Sequence, residues 1–515
     1  MNPRSKITRR EVFQAAGLAA VTGAVARTTD AADTPPSHGT PNIYTRIGVR
    51  PFINLTATLT INGGTLTLPE VKKAMEEASY HSVNIDELME RVGVRLSELL
   101  GCESGIVTSG AAAALTHATA ACVAGADPEN MKQLPNLTGL KNEVIMTKQS
   151  RNEYDHAIRT VGVQVVEVDS EQEFHAALGR HTAMVAVLGT GEARGKIRLE
   201  EMAKAAHKMN VPVLVDAAAE LPQKPNPYLS RGADLVAYSG GKIIRGPQCA
   251  GLLLGRKDLV QAAWVNGAPH HAFGRMMKVG KEEIMGMLAA IEVWVTTRDI
   301  QKEYQQWESW LTDISDAITK VDGVRTKMVP PAGASPFPVM NVEWDPDKVA
   351  ITAGELYEKL VSGEPRIMSH ATGTGHSFTI RPVSIKQGDH VLVARRLREV
   401  FSQAPKGAQK PAPAPPSVDV AGRWEVDVAF AFGSARHTMI LDVKDNRVSG
   451  LHLGRRARGD LSGTIDGGNI QMRSVLPSEG INLSYRFTGQ VSADRISGDL
   501  DLGEYGKARW TAKRA

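Results

Sequence analysis

The chain has 515 residues, 42% of them apolar and 23% charged, with a net charge of +4. That length is enough for two or three domains, and the composition is that of a globular, water-soluble bulk. The charges are scattered without a long basic run, which gives no support to nucleic-acid binding. Three cysteines, Cys102, Cys122 and Cys249, have no metal spacing and read as buried free thiols, not a disulfide framework.

At the N-terminus, Thr8-Arg9-Arg10-Glu11-Val12-Phe13 precedes an alanine- and glycine-rich apolar run from Ala15 to Ala26. Ala24-Val25-Ala26 puts small residues at a cleavage position. Residues 1–26 are therefore expected to be a twin-arginine export signal, followed by a polar tether over 27–43. The run is too short to span a bilayer, and no later segment is long and apolar enough to do so. The expectation is a periplasmic or secreted protein with no membrane span after signal removal.

The body begins at Tyr44. Pro69 to Ser79 predicts a helix with proline in its first turn, and Asp86 to Leu100 a second one ended by Gly101. Gly105 to Leu115 reads as a short strand running through Ser109-Gly110-Ala111 into an alanine-rich helix. A helix start presents unpaired amides and partial positive charge to an anion, although Ser109 could equally be a plain N-cap. Glu143 to Lys148 predicts a strand leading into a polar loop that ends in Tyr154-Asp155-His156. His156 or Tyr154 could cover the face of a planar ligand, and a helix-capping loop is the even alternative.

Strand and helix candidates then alternate through Val163–Val168, Glu171–Leu178, Ala183–Leu188, Leu199–Lys208 and Val211–Val215, the rhythm of a parallel sheet covered by helices. The last strand ends on Asp216. A carboxylate there is costly unless paired, and the ring nitrogen of a pyridine cofactor is a natural partner. The next apolar run, Leu235 to Tyr238, stops at Ser239-Gly240-Gly241-Lys242. A partly desolvated lysine on a tight strand-end turn loses its proton readily and suits Schiff-base chemistry, while Ser239 and the glycine amides can hold a phosphate. A surface lysine in a hairpin is the plain alternative; the combination with Asp216 and the Ser109 helix start outweighs it.

Four stretches in this order resemble the fold-type-I pyridoxal-phosphate enzymes: Ile53–Gly64, Asp86–Leu115, Leu214–Pro222 and Tyr238–Gly255. Within them the chain is similar to the group of selenocysteine synthase (L-seryl-tRNA(Sec) selenium transferase) and D-glucosaminate-6-phosphate ammonia-lyase. The resemblance covers roughly Tyr44 to Gln403, and the Ser239–Gln248 string is its most specific part. It implies pyridoxal 5'-phosphate as cofactor, Lys242 as the catalytic, cofactor-bearing amine and Asp216 at the ring nitrogen. It also implies Ser109, Gly110, Ala111 and Ser239 around the phosphate, His156 against the ring, a homodimer or higher homo-oligomer, and no metal. Arg381, at the end of a strand in a smaller subdomain, is the candidate for a substrate carboxylate. Selenocysteine synthases favour Asp before the lysine, where this chain has Gly241, and carry a tRNA-binding region where this chain has its signal.

The expected fold is α/β: a large cofactor domain over 44–296 with a mainly parallel sheet, a small α+β subdomain over 297–403, and a proline-rich linker over 404–417. After it, eight alternating segments between Gly422 and Ala512 predict a small antiparallel barrel or sandwich over 418–515, accessory in role. The implied function is an exported α,β-eliminating enzyme of the ammonia-lyase type acting on an amino-acid-like small molecule. An aminotransferase is the alternative within enzymes. A non-catalytic protein binding through its C-terminal β domain is the alternative outside them.

Overall fold

The computed structural model describes residues 41–371, 373–407 and 413–515, so the expected export signal and all but the end of its tether lie outside the described residues. The chain divides into two units, Met1–Phe52 and Ile53–Ala515. In the first, the described residues make one 3-10 turn, Thr45–Ile47, where the Asn42 side chain accepts from the amides of Tyr44 and Thr45.

The second unit opens with β1 (Ile53–Asn54). Its main sheet contains β2 (Ser104–Thr108), β3 (Glu143–Thr147), β4 (Gln164–Val168), β5 (Thr182–Leu188), β6 (Val213–Asp216), β7 (Leu235–Ser239) and β8 (Gly251–Gly255), in the order β2-β8-β7-β6-β5-β3-β4. β8 runs antiparallel between β2 and β7, and the remaining pairings are parallel. Helices cover the sheet, so β5 and β8 are apolar runs without alternation. The Gly110–Ala124 helix is buried almost all round against β7 and β8, which alanine and threonine allow by their small size. The helices Pro69–Ser79 and Ile85–Leu100 lie as expected, the second capped by Gly101 at φ 67°.

A second core joins Trp307, Trp310, Leu311 and Ile314 to β9 (Val324–Val329), β10 (Val339–Trp344), β11 (Ile367–Met368) and β12 (Ser377–Ile380). β12, β10 and β9 form an antiparallel sheet, while β11 pairs in parallel with β1. This core also takes in Ile53, Leu55 and Ala57, which sequence order had assigned to the large domain, and Ile243, the residue after Lys242. Strand pairing across the chain, not contiguity, decides the grouping.

The C-terminal strands are β13 (Gly422–Ala429), β14 (Ser434–Lys444), β15 (Arg447–Leu453), β16 (Arg458–Asp466), β17 (Asn469–Ser478), β18 (Ile481–Ser492), β19 (Arg495–Asp501) and β20 (Lys507–Arg514). They close into an antiparallel barrel, β20 pairing back onto β13, which removes every free edge. Period-two burial puts Trp424, Val426 and Val428 inside on β13, and Trp510 and Ala512 on β20. Of the three cysteines, Cys102 and Cys122 are partly buried. Cys249 is exposed, on the turn between β7 and β8, so the expectation of a buried thiol fails there.

Candidate active site

The parallel strands end together on one side of the sheet. Leu188 lies opposite Asp216 and Asp216 opposite Ala237, so the carboxylate sits in the row where crossover connections leave a crevice. Two residues further along β7, Ser239 starts a second row with Gly251 and Thr108 across β7, β8 and β2. Gly251 is needed here: a β-carbon would come within 2.5 Å of the Gly110 carbonyl carbon and 2.6 Å of the Ala111 nitrogen. That close approach brings Ser239 and the start of the Gly110–Ala124 helix to the same side. The Ser109 hydroxyl makes no cap to its own helix, and Gly110 takes φ 83°. The first amides of this helix therefore carry no side-chain cap from Ser109.

Asp216 and Lys242 line one cavity of about 330 Å³, together with Thr58, Thr60, Thr190 and Tyr154. Asp216 accepts from the Ala218 amide at 3.0 Å, and burial pushes its carboxyl above the ordinary range. Lys242 is pulled the other way. Burial lowers its ammonium pKa, against the partial opposition of Asp216 and Glu153. The two groups attract one another, yet among the described residues no ion pair joins them. The Tyr154 ring faces the lysine, with Nζ 5.8 Å from its centroid.

Ser109 and His156 line an adjoining cavity of about 380 Å³ that shares Glu153 and Tyr154 with the first. His156 is exposed on this side, and the Tyr154 ring is the one over the lysine. Arg381 borders neither cavity. Its amide donates to the Leu55 carbonyl and it bridges Thr56, four positions before the cavity residue Thr60. Its guanidinium is half-buried, its pKa lowered by desolvation, and no described carboxylate pairs with it.

Sequence order alone did not reveal what holds the lysine turn. The Thr65 hydroxyl donates to the carbonyls of Gly241 and Lys242, at 3.0 and 2.7 Å. Arg298, whose side chain is 3% exposed, donates to the carbonyls of Ile243 and Ile244 and pairs with Glu303. Gly241 itself is packed: a β-carbon there would lie 2.7 Å from the Gln248 α-carbon, which accounts for glycine where the resembling family favours Asp. The Ile53–Gly64 segment is held by its own hydrogen bonds. Asn54 accepts from both the amide and hydroxyl of Thr56 and donates to the Ala57 carbonyl, and Ala57 takes φ 56°.

The residues fit pyridoxal phosphate by their chemistry. An amine of reduced proton affinity and a desolvated carboxylate line one cavity without an ion pair between them, near a helix start whose serine is uncapped. The Aminotransferase class-V family matches residues 70–330. The chain is 28% identical to D-glucosaminate-6-phosphate ammonia lyase of Salmonella typhimurium, over 71% of this chain and 99% of that one. It is 31% identical to 5'-C-glycyluridine monooxygenase-decarboxylase of a Streptomyces species, over 70% of this chain and 92% of that one. A 146-residue stretch is 33% identical to the L-seryl-tRNA(Sec) selenium transferase of Proteus mirabilis, covering 26% of this chain and 27% of the other. The solved structure of D-glucosaminate-6-phosphate ammonia-lyase superposes with a TM-score of 0.63 at 28% identity, over 71% of this chain and 99% of that one. The chain belongs to the class-V aminotransferase family, as a fold-type-I, pyridoxal-phosphate-dependent enzyme of the ammonia-lyase and selenium-transferase group.

Proposed function

We propose that the protein is an exported lyase that removes a β-substituent and ammonia from an amino-acid-like small molecule, leaving a 2-keto acid. The observation that carries this reading is the pairing of Asp216 and Lys242 across one cavity with no ion pair between them. Pyridoxal phosphate, when bound, supplies an aldehyde that takes up an amine and a ring that accepts the electron pair left by a departing proton. The chain's own residues do the rest. Lys242 Nζ, made less basic by burial, would be the amine that carries the cofactor and the base that takes the substrate α-proton. Asp216 keeps a proton at the ring nitrogen. Ser109, the amides of Gly110 and Ala111, and Ser239 hold the phosphate. Tyr154 covers the ring, and His156 closes the outer side of the same loop. Arg381, with no described carboxylate partner and bridged to Thr56 behind the Lys242 cavity, would receive the substrate carboxylate only if the 56–60 segment opens towards it. For a 2-amino-3-hydroxy acid the reaction balances as loss of water, then uptake of water with release of ammonia, and no oxidant or amino acceptor enters.

Lys242→Ala should lose the visible absorbance of the lysine-bound cofactor and lower keto-acid release by about a thousandfold or more. Retention of either would overturn its role. Ammonia released from 3-hydroxy amino acids with no keto acid added separates elimination from amino-group transfer. The reading includes export, supported by Arg9-Arg10 and the apolar run after it. Replacing both arginines by lysine should hold the protein in the cytoplasm. It also includes self-association, supported by Ile61, 90% exposed on the loop next to the cavity residue Thr60. Light scattering should give at least the dimer mass.

A further inference from the structure

The barrel is not set apart from the active site. A cavity of about 740 Å³ lies between the two, twice the volume of the one Lys242 lines. One wall is the loop carrying Glu153, Tyr154 and His156. The other is the barrel end, where Phe430, Leu483, Tyr485, Leu502 and Tyr505 present aromatic and aliphatic surface. Tyr154 lines this cavity, the Lys242 cavity and the Ser109 cavity, so the three meet at its ring. The barrel end is firmly built. Tyr485 packs on His437 and His452 with centroids 5.7 and 5.0 Å away, and stacks at 13° on Phe487. Behind it His437 Nδ1 meets His452 Nε2 at 2.8 Å, and His452 Nδ1 meets Ser474 Oγ at 3.1 Å.

The charges around this cavity are unbalanced. Glu479 is engaged by Arg151 and Arg159, at 3.7 and 3.9 Å, and Arg159 is itself bound to Asp155. Glu153 and Glu504 make no ion pair among the described residues, although Glu153 lies in the field of Lys242 and Glu504 takes a hydrogen bond from the Tyr505 phenol. Their field, added to burial, holds the phenols of Tyr154 and Tyr505 above the ordinary tyrosine range. The hydroxyl of Ser484, also in the lining, is buried with no hydrogen-bond partner.

We propose that the barrel end is a second subsite of the active site, one that takes the distal part of the substrate as a flat aromatic group, uncharged or cationic. This rests on Lys242 and Asp216 holding the cofactor next door. Two observations carry it: the cavity shares Glu153 and Tyr154 with the Lys242 cavity, and its lining combines aromatic rings with Glu153 and Glu504, two carboxylates that no described cation ion-pairs. Rings stack on such walls, and a cation gains further from both carboxylates and ring faces. A phosphate would meet Glu153 and Glu504, and the arginine in the lining, Arg159, is already engaged by Asp155 and Glu479. The substrate is therefore distinguished from a phosphorylated sugar acid at this end. Ser484 offers one hydrogen bond to a polar atom on the ring.

The test uses two probes that lack a primary amine, phenyltrimethylammonium and phenyl phosphate, titrated by calorimetry into the cofactor-loaded full chain. Phenyltrimethylammonium should bind at least about tenfold more tightly. Glu504→Lys, at an exposed position, should weaken it about fivefold or more and strengthen phenyl phosphate. Lys242→Ala, which should lack the cofactor band, should still bind the cation. Equal binding of the two probes overturns the proposal, as does indifference to Glu504→Lys or loss of binding in Lys242→Ala. A chain that shows the cofactor band but does not bind the cation refutes the subsite alone. A chain that binds the cation but shows no band refutes the cofactor reading alone.

Discussion

The carbonyl of Lys242 is held by the Thr65 hydroxyl, and those of the next two residues by Arg298. These contacts aim the amine without touching it, which leaves Nζ free to react. Thr65→Val removes two hydrogen bonds from the turn and should cost about 1–2 kcal/mol in urea unfolding. It should weaken cofactor affinity as well, because the amine is no longer pre-aimed. Asp216 shows the converse relation between stability and function. Half-buried on the cavity wall and with no ion pair among the described residues, its carboxyl is pushed up by desolvation. Asp216→Asn should therefore raise the melting temperature of the cofactor-free protein, by about 1 kcal/mol of unfolding free energy at pH 7. The same change should lower that of the loaded protein, since the ring nitrogen loses its partner. A cofactor-free Asp216→Asn protein that melts lower than the parent would contradict this account.

At the scale of elements, the barrel encloses a polar chain inside an apolar core. His452 is fully buried and pushed down to about 3 by burial and then by His437, itself lowered by burial. In the unfolded chain its imidazole titrates near the ordinary value of about 6.5. Between these limits the unfolded state binds more protons than the native one, so barrel stability falls as pH drops from about 6.5 towards 3. One proton corresponds to a slope of about 1.4 kcal/mol per pH unit. Urea unfolding followed by the fluorescence of the buried Trp424 and Trp510 should show this decline. His452→Gln should flatten it. The helices behave more simply. Leu199–Lys208 and Pro69–Ser79 begin and end where their periodicity and first-turn residues place them.

At the scale of the molecule, the site is assembled where three hydrophobic cores come together. The main sheet delivers Asp216 and Lys242, the second core delivers the Ile53–Thr60 segment, and the barrel end closes over the Tyr154 loop. The β17–β18 turn makes the last of these contacts. Gly480, at φ 80°, lies so close that a β-carbon would be 3.0 Å from Asp155 Oδ2 and 3.3 Å from the Asn152 nitrogen. Gly480→Val should push the barrel end off this loop. The expected result is faster hydrogen exchange over residues 151–159, with the Lys242-bound cofactor band retained. Unchanged exchange would mean that the loop does not depend on the barrel for its order.

The strand ending in Asp216, the glycine-bounded turn carrying Lys242, the Ser109 helix start and the eight barrel strands were all readable in chain order. Each follows from forces that act over a few residues: burial periodicity, the φ freedom of glycine and the orphan amides of a helix start. Folding decided the rest. The bonds that hold the lysine turn join positions 177 and 55 apart, and the placement of the Tyr154 ring over the lysine is set by packing that the loop sequence does not encode. The barrel, legible as a fold but not as a wall of the site, meets the Tyr154 loop through Gly480 and Glu479. Such contacts arise only when separate cores pack, and no local pattern of residues records which surfaces will meet.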